Sequence, residues 1–316
     1  MGFELELIKW LQSFSTDFLD SLFKLFTIFG EEESLIVLLG FIYWCYDKKI
    51  GELMGLTIFV SLGLNSAMKL AIARPRPFMV DDSIVNLKPS TSTGYSFPSG
   101  HTQTASTTYF SLYYLIKKKW LLIVAIIITL LVALSRMYLG VHYLTDVLTA
   151  WVLGVLLAYF IAKKVKEESL LKKIYKYLAI ASIVGFIVVI VINIISNTII
   201  TFRASDFYFD TEALAKMLGT LTGFSFAILY EKKKVNFTNI KDPIKNIFRF
   251  LLGLAVILAI RYALKFIFGI IVDTEALVDG QYLKSILGVL FDFIRYFTML
   301  FIGIGVYPII FKKINI

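Results

Sequence analysis

Long apolar runs separated by short polar connections dominate the pattern along this chain. Nine runs have the length of helices, at about 34–46, 52–72, 101–116, 120–134, 143–162, 174–198, 213–230, 248–271 and 284–311. A bilayer core takes roughly 20 apolar residues per helical span, and a helix satisfies its own backbone groups in lipid. The pattern therefore predicts an all-α polytopic membrane protein of about nine transmembrane helices.

The first 30 residues follow a different pattern. Between residues 3 and 29, Phe, Leu and Trp alternate with Asp17, Asp20 and Lys24 at helical spacing. Such a segment has one apolar and one polar face, which favours a position along the membrane surface over a span.

Composition supports the membrane assignment and argues against a nucleic-acid partner. Hydrophobic residues make up 58% of the 316 residues and charged residues only 17%, a combination that soluble domains rarely show. The net charge of +9 comes from short lysine clusters between the apolar runs, such as Lys117 to Lys119 and Lys232 to Lys234. Because cytoplasmic connections are rich in Lys and Arg, their alternation predicts an extracytoplasmic N-terminus and a cytoplasmic C-terminus. The single cysteine, Cys45, excludes an intramolecular disulfide and fits no metal-ligand spacing.

Unusual polar residues are concentrated in three motifs that this topology brings to the extracytoplasmic side. In chain order, the motifs are Lys69 with Arg76-Pro77, then Pro98-Ser99-Gly100-His101, then Ser135-Arg136 with His142 and Asp146. The chain has two histidines, and both are in these motifs.

The cations of the motifs point to an anionic ligand. Lys69, Arg76 and Arg136 repel one another unless an anion lies between them, and the Arg fork matches phosphate oxygens. Pro98 suits the first turn of a helix, where Ser99 and Gly100 would present backbone N–H groups to a phosphate.

The histidines add a nucleophile and an acid. His142 and Asp146 are four residues apart and would share one face of a helix, so that Asp146 holds one ring nitrogen and leaves the other free to attack. His101 would then be the general acid for the leaving alcohol. Taken singly, the motifs are also compatible with a helix cap, snorkelling basic residues and a structural His–Asp pair. We favour catalysis because the three motifs share one side of the membrane and use both histidines.

Together the motifs resemble the tripartite signature of the type 2 phosphatidic acid phosphatase superfamily, which includes lipid phosphate phosphatases, glucose-6-phosphatase and vanadium haloperoxidases. Six residues separate Lys69 from Arg76-Pro77, five separate Arg136 from His142, and three separate His142 from Asp146. The resemblance implies a metal-free, cofactor-free phosphoric monoester hydrolase. It makes His142 the nucleophile that becomes phosphohistidine, Asp146 its orienting residue and His101 the proton donor. The phosphate ligands that it implies are Lys69, Arg76, Ser99, Gly100 and Arg136.

The resemblance also divides the chain into an interfacial segment (1–30), a six-span catalytic core similar to that of acid phosphatases (31–199) and three additional transmembrane helices (200–316). Simple lipid phosphatases of this superfamily usually stop at six spans, whereas glucose-6-phosphatase and sphingosine-phosphate phosphatases resemble the longer layout.

The expected function is hydrolysis of a lipid phosphate monoester or a prenyl pyrophosphate at the extracytoplasmic face of the plasma or inner membrane. The alternatives are a sugar-phosphate phosphatase of the glucose-6-phosphatase type, a lipid phosphotransferase and a non-enzymatic phosphate-lipid transporter. The intact pair of His101 and His142 argues against the transporter, because binding phosphate alone requires only the cations. Expected partners are the phosphorylated lipid and membrane lipids, and a homodimer is left open.

Overall fold

The structure, a computed structural model, describes residues 2–165, 167–199, 204–274 and 282–314. Its helices are α1 (Gly2–Gln12), α2 (Asp17–Thr27), α3 (Glu32–Phe41), α4 (Lys48–Ile72), α5 (Pro77–Val80), α6 (Gly100–Ile116), α7 (Lys119–Tyr138), α8 (Leu144–Lys164), α9 (Glu168–Ile199), α10 (Ala204–Tyr230), α11 (Pro243–Ile271), α12 (Tyr282–Leu300) and α13 (Ile309–Lys313). Three π-helical turns, Ile42–Tyr46, Glu231–Val235 and Phe301–Val306, continue α3, α10 and α12. The described residues contain no strand, so the predicted all-α class is confirmed.

Seven segments of the described chain are long and apolar enough to cross a membrane. They are Lys48–Val80, Lys119–Tyr138, Leu144–Lys164, Glu168–Ile195, Thr211–Val235, Pro243–Ile271 and Leu283–Lys313. The two other predicted spans are helical but shorter: Glu33–Tyr46 is an apolar helix below the required length, and α6 has 17 residues, many of them Ser or Thr. The polytopic membrane fold is therefore confirmed, whereas the count of nine spans is not.

The chain forms two compact units. The first comprises Met1–Leu39 and Leu53–Val165, and the second comprises Gly40–Glu52 and Lys166–Ile316. Helix α9 belongs to the second unit, although the division by resemblance assigned it to the core at 31–199. That division, with its interfacial segment and its three additional helices, remains a prediction.

In the first unit, α6 packs against α7 and α8. A Cβ atom at Gly154 of α8 would lie 2.0 Å from Ser106 Oγ, so glycine is required where these two helices approach each other. Buried polar contacts join α6 to α4: Gln103 Nε2 donates to Ser61 Oγ at 3.0 Å, and Asn65 Nδ2 donates to Gln103 Oε1 at 2.8 Å. Because these groups are costly to bury without partners, the contacts fix the start of α6.

The N-terminal segment forms two helices, α1 and α2, each of which exposes some of its large apolar side chains while others, such as Ile8, are buried. Phe3 is 73% exposed and Trp10 is 59% exposed. Polar side chains of the segment contact the rest of the unit, as in the hydrogen bond from Gln12 Nε2 to the carbonyl of Tyr138 at 3.0 Å. This distribution suits a segment whose outer face meets lipid. Its position at the membrane interface remains a prediction.

In the second unit, α10 packs against α9 and α12. A Cβ at Gly219 would lie 2.4 Å from the carbonyl oxygen of Phe293, and one at Gly223 would lie 2.4 Å from that of Phe297. Small residues at a spacing of four allow transmembrane helices to approach closely. The three helices expected beyond residue 199 correspond to α10, α11 and α12.

Candidate active site

The structure brings the eight predicted site residues together in the first unit. Lys69 is in the last turn of α4, Arg76 precedes α5, Ser99 precedes Gly100 and His101 at the start of α6, Arg136 is in the last turn of α7, His142 precedes α8, and Asp146 is in the first turn of α8. Lys69, Arg76 and Arg136 are all close enough to His142 to interact with it electrostatically. His142 is in turn close enough to interact with His101. The catalytic and ligand roles of these residues remain predictions.

His142 and Asp146 do not share a helix face, contrary to the expectation from their spacing. Helix α8 begins at Leu144, so His142 lies in the turn before it, and Asp146 reaches back toward this turn. The Nδ1 atom of His142 lies 3.4 Å from Asp146 Oδ2. Gly140, with φ +75°, turns the chain just before His142, and a Cβ there would lie 2.4 Å from the carbonyl oxygen of Val85. A helix cap and a glycine turn therefore produce the contact that the sequence assigned to helical spacing.

The Asp146 carboxylate is fully buried and surrounded by donors. Its Oδ2 atom accepts hydrogen bonds from the hydroxyl of Ser96 and from the backbone N–H of Tyr143, the latter at 2.9 Å. Its Oδ1 atom accepts from Arg74 Nη1 at 2.7 Å. With both oxygens engaged, the carboxylate is held in one orientation beside the imidazole of His142.

Arg76 lies next to the other ring nitrogen of His142. Its Nη1 atom is 3.3 Å from His142 Nε2 and donates to the carbonyl of Val141 at 3.0 Å. Its Nε and Nη2 atoms donate to the carbonyls of Gly94 and Thr93, at 2.9 and 2.7 Å. The candidate nucleophilic nitrogen of His142 therefore lies beside the guanidinium of Arg76.

The other two cations donate to the same stretch of loop as Arg76. Lys69 Nζ donates to the carbonyl of Tyr95. Arg136 Nη2 donates to the carbonyl of Thr91 at 3.1 Å, while its Nη1 donates to the hydroxyl of Thr27 at 2.9 Å. All three cations therefore donate to neutral carbonyl oxygens within residues 91–95, which leaves their positive charge uncompensated by those contacts.

The start of α6 differs in detail from the prediction. Pro98 was expected in the first turn of the helix, but the helix begins at Gly100, with Ser99 as its N-cap. The Ser99 hydroxyl lies 3.0 Å from that of Thr102, and the Ser99 N–H donates to the carbonyl of Asp146 at 3.2 Å. Ser99 thereby joins the starts of α6 and α8. The first backbone N–H groups of a helix have no partner within it, and this leaves Gly100 suited to an anion.

His101 carries a nitrogen with no partner. Its Nε2 atom is buried and accepts or donates no hydrogen bond within the described structure. Gly30 packs directly against the same residue, where a Cβ would lie 2.6 Å from the His101 carbonyl oxygen. A buried nitrogen without a partner is costly, and a substrate oxygen would satisfy it.

Electrostatics favours a neutral His142. Burial lowers the pKa of His142 well below its ordinary value, and the positive charges of Arg76, Lys69 and Arg136 lower it further. The ring is therefore neutral at neutral pH, and the neutral ring is the nucleophilic form.

Three polar residues around the site were missed by the sequence interpretation. Ser96, fully buried, lies 3.4 Å from His142 Nδ1 and donates to Asp146. Arg74 contacts Asp146 and also Glu4. The position of Arg74 within the first motif, between Lys69 and Arg76, was a usable signal, whereas nothing in the local sequence of Glu4 connects it to a residue 70 positions away.

The comparisons with known proteins cover the site and also the C-terminal part of the chain. Residues 52–169 match the family model of the PAP2 superfamily, and residues 215–316 match that of the PAP2 superfamily phosphatase, transmembrane extension. Undecaprenyl-diphosphatase of Sulfolobus acidocaldarius is 31% identical over 179 residues, which are 56% of this chain and 85% of that protein. Phosphatidylglycerophosphatase B of Bacillus subtilis is 37% identical over 147 residues, 42% of this chain and 67% of that protein.

A solved structure, that of a transmembrane PAP2 type phosphatidylglycerolphosphate phosphatase from Bacillus subtilis, shares 30% identity. The match covers 51% of this chain and 83% of that one, with a TM-score of 0.44. The resemblance based on the three motifs is confirmed by the PAP2 superfamily match, since residues 52–169 include all three motifs. The chain belongs to the PAP2 superfamily and is an integral membrane phosphatase.

Proposed function

We propose that this phosphatase hydrolyses a phosphorylated lipid, either a lipid phosphate monoester or a prenyl diphosphate, at the extracytoplasmic face of the membrane. The observation that carries the proposal is the setting of His142. Its Nδ1 atom lies 3.4 Å from a buried carboxylate, and its Nε2 atom lies 3.3 Å from the guanidinium of Arg76. One nitrogen is oriented by an acceptor while the other faces a phosphate-binding cation, as a nucleophile requires.

In the first step, His142 Nε2 attacks phosphorus. A P–N bond forms, and the P–O bond to the leaving group breaks. His101 donates a proton to the departing oxygen, so that the lipid leaves as an alcohol or, from a diphosphate, as a monophosphate. Asp146 accepts the Nδ1–H of His142 and stabilises the positive charge that develops on the ring.

In the second step, water attacks the phosphohistidine. His101, now neutral, accepts a proton from the water, the P–N bond breaks, and inorganic phosphate is released. Lys69, Arg76 and Arg136 stabilise the negative charge on the phosphoryl oxygens in both steps.

When the substrate binds, its phosphoryl oxygens become the hydrogen-bond acceptors of these cations. In the structure, the cations donate to carbonyl oxygens of residues 91–95. Hydrogen bonds to an ionised acceptor are roughly twice as strong as those between neutral groups, so phosphoryl oxygens replace the carbonyls. Gly94, with φ +63° and no atom within 4 Å of a Cβ position, gives this loop the freedom to move aside.

The lipid class is supported by similar proteins and by the surface of the first unit. One relative is an undecaprenyl-diphosphatase and another is a phosphatidylglycerophosphatase B. The exposed Phe3 and Trp10 suit the headgroup region of a membrane, where aromatic residues are enriched. The distribution of the lysine clusters supports the extracytoplasmic face.

A substrate panel tests the proposal. Purified wild type and His142→Ala are given undecaprenyl diphosphate, phosphatidylglycerophosphate, phosphatidate and glucose 6-phosphate, each with and without EDTA, and free phosphate is measured. We expect wild type to release phosphate from at least one lipid faster than from the sugar phosphate, with no loss in EDTA, and His142→Ala to be inactive. Preference for glucose 6-phosphate would contradict the lipid class, and loss of activity in EDTA would contradict the metal-free mechanism.

The same assay distinguishes hydrolysis from transfer. An acceptor lipid alcohol is added, and phosphorylated acceptor is measured beside free phosphate. Free phosphate as the main product supports water as the acceptor, whereas a phosphorylated acceptor as the main product identifies a phosphotransferase.

A further inference from the structure

Asp146 has a cationic partner that is not among the predicted site residues. Arg74 Nη1 donates to Asp146 Oδ1 at 2.7 Å and to the hydroxyl of Thr145 at 2.7 Å. The guanidinium also lies over the ring of Tyr143, with 3.7 Å between the guanidinium carbon and the ring centroid. Arg74 is thus fixed against three residues at the start of α8, namely the N-cap Tyr143 and, in the first turn, Thr145 and Asp146.

The N-terminal helix holds the opposite side of this guanidinium. Arg74 Nη2 donates to Glu4 Oε2 at 2.9 Å. Glu4 Oε1 accepts from the N–H and the hydroxyl of Thr145, both at 2.8 Å. Burial alone would raise the pKa of Glu4, but the hydrogen bonds from Thr145 and Arg74 outweigh it and hold the pKa below its ordinary value. Glu4 is therefore ionised and fully engaged at neutral pH.

The orientation of Asp146 depends on what holds its second oxygen. Ser96, Tyr143 and His142 all lie on Oδ2, whereas Arg74 is the charged partner of Oδ1. The terminal torsion of a carboxylate is broad, so contacts on one oxygen alone leave the plane of the group poorly defined. The contact at Oδ1 fixes the plane and, through it, the direction of the His142 ring.

Arg74 is unsuited to binding phosphate itself. It lies between two carboxylates, those of Glu4 and Asp146, at 2.9 and 2.7 Å. By contrast, Arg76 donates to neutral carbonyls of the loop. A cation neutralised on both sides has little attraction for another anion. Arg74 therefore holds the Asp146 carboxylate and does not bind the substrate.

We propose that Glu4 and Arg74 form a positioning pair that orients Asp146. The N-terminal helix α1 thereby contributes a residue to the active site. The inference rests on the proposed phosphohistidine mechanism. Since small displacements of a catalytic group reduce turnover strongly while leaving binding intact, the pair acts on kcat and not on KM.

Steady-state kinetics of five variants test the pair: Glu4→Gln, Arg74→Gln, Arg74→Lys, the double variant Glu4→Gln/Arg74→Gln, and Glu6→Gln. Glu6 is the matched control, because it lies on the same helix and pairs with Lys9 instead of Arg74. We expect Arg74→Gln to lower kcat by about 10- to 100-fold and Glu4→Gln by about 10-fold, with KM within about twofold of wild type. Arg74→Lys should recover part of the loss, and Glu6→Gln should match wild type.

The double variant shows whether Glu4 acts through Arg74 or independently of it. If Glu4 acts through Arg74, the double variant is no slower than Arg74→Gln alone. Thermal unfolding is measured for each variant. Should Arg74→Gln fail to fold, Glu4→Gln and Arg74→Lys still decide the question, because each keeps one half of the pair.

Wild-type kcat in a folded Glu4→Gln, a loss confined to KM, or additive losses in the double variant would overturn the positioning pair. Wild type and His142→Ala are assayed alongside. An active His142→Ala would instead contradict the proposed mechanism, so the two failures are distinguishable.

Discussion

At the scale of single residues, the candidate site contains two histidines in different settings. His142 has both ring nitrogens near partners, Asp146 and Arg76. His101 has a buried Nε2 without a partner. In the proposed mechanism, the first arrangement orients the nucleophile, and the second leaves a ring nitrogen of His101 for the leaving group to engage.

The depressed pKa of His142 leads to a prediction about pH. The neutral ring is the active form, so activity is present above the folded-state pKa and is lost as the pH falls through it. Because burial and then the cations lower this pKa well below 6.5, the acid limb of kcat/KM that belongs to His142 lies below pH 6.5. Arg76→Gln should move the limb to higher pH, since it removes the cation with the largest effect.

The measurement is kcat/KM from pH 4.5 to 9 for wild type and Arg76→Gln. The pH at the midpoint of the acid limb is compared between the two proteins, separately from the maximal kcat/KM. Lys118→Gln is the control, because it removes an exposed cation at the other end of α6 and α7. A wild-type acid limb centred at or above pH 6.5, or a limb that Arg76→Gln leaves in place, would contradict this description of the site.

At the scale of elements, the ends of helices set the geometry. The α6 N-cap, Ser99, donates its N–H to the carbonyl of Asp146, and Asp146 in turn accepts from the N–H of the α8 N-cap, Tyr143. The turn between α7 and α8 depends on Gly140, which has both a positive φ and no room for a side chain.

Gly140→Ala should therefore lower both stability and activity. A residue with Cβ loses roughly 1–2 kcal/mol in the left-handed region, and here the Cβ would also meet the Val85 carbonyl at 2.4 Å. Gly94→Ala is the matched control, because its φ is +63° but nothing lies within 4 Å of the Cβ position. Thermal unfolding should show a larger loss for Gly140→Ala than for Gly94→Ala. Equal losses would mean that the contact with Val85 is not needed to hold the turn.

The elements also show how far the sequence alone leads. Apolar periodicity located the long helices, since lipid-facing side chains must be apolar along the whole span. It also located α6, but it did not show that buried Thr and Gln side chains of this helix form hydrogen bonds with α4. Motif spacing identified residues that the structure brings together, but it placed His142 on a helix, because a capped turn and a helix can bring residues at i and i+4 equally close. The Glu4–Arg74 contact had no sequence signal, as it depends on how α1 folds back onto α8.

At the scale of the whole molecule, the arrangement in the membrane decides which lipid leaflet supplies the substrate. The long connection between α4 and α6 holds most of the partners of the three cations. The lysines between α6 and α7 lie at the opposite end of α6 from His101. An extracytoplasmic site therefore requires the first of these connections outside and the second inside.

Cysteine labelling tests this topology. Ser90 and Lys118 are exposed, whereas Cys45 is buried, so single cysteines are introduced at positions 90 and 118 in a Cys45→Ser background. An impermeant thiol reagent added to intact cells should label the Ser90→Cys variant and not the Lys118→Cys variant. Permeabilised cells, in which both should be labelled, are the control. The reverse pattern in intact cells would place the active site in the cytoplasm.

The central claim is that His142 carries the phosphoryl group during turnover. His101→Ala, mixed rapidly with a phosphorylated substrate whose leaving group needs no proton, should form the intermediate and then hydrolyse it slowly, because His101 is also the base for water. Peptide mass spectrometry of the quenched protein, with His142→Ala as the control, measures where the phosphoryl group is attached. We expect one phosphoryl group on His142 and none in the control. A phosphoryl group on any other residue, or turnover by His142→Ala, would contradict it.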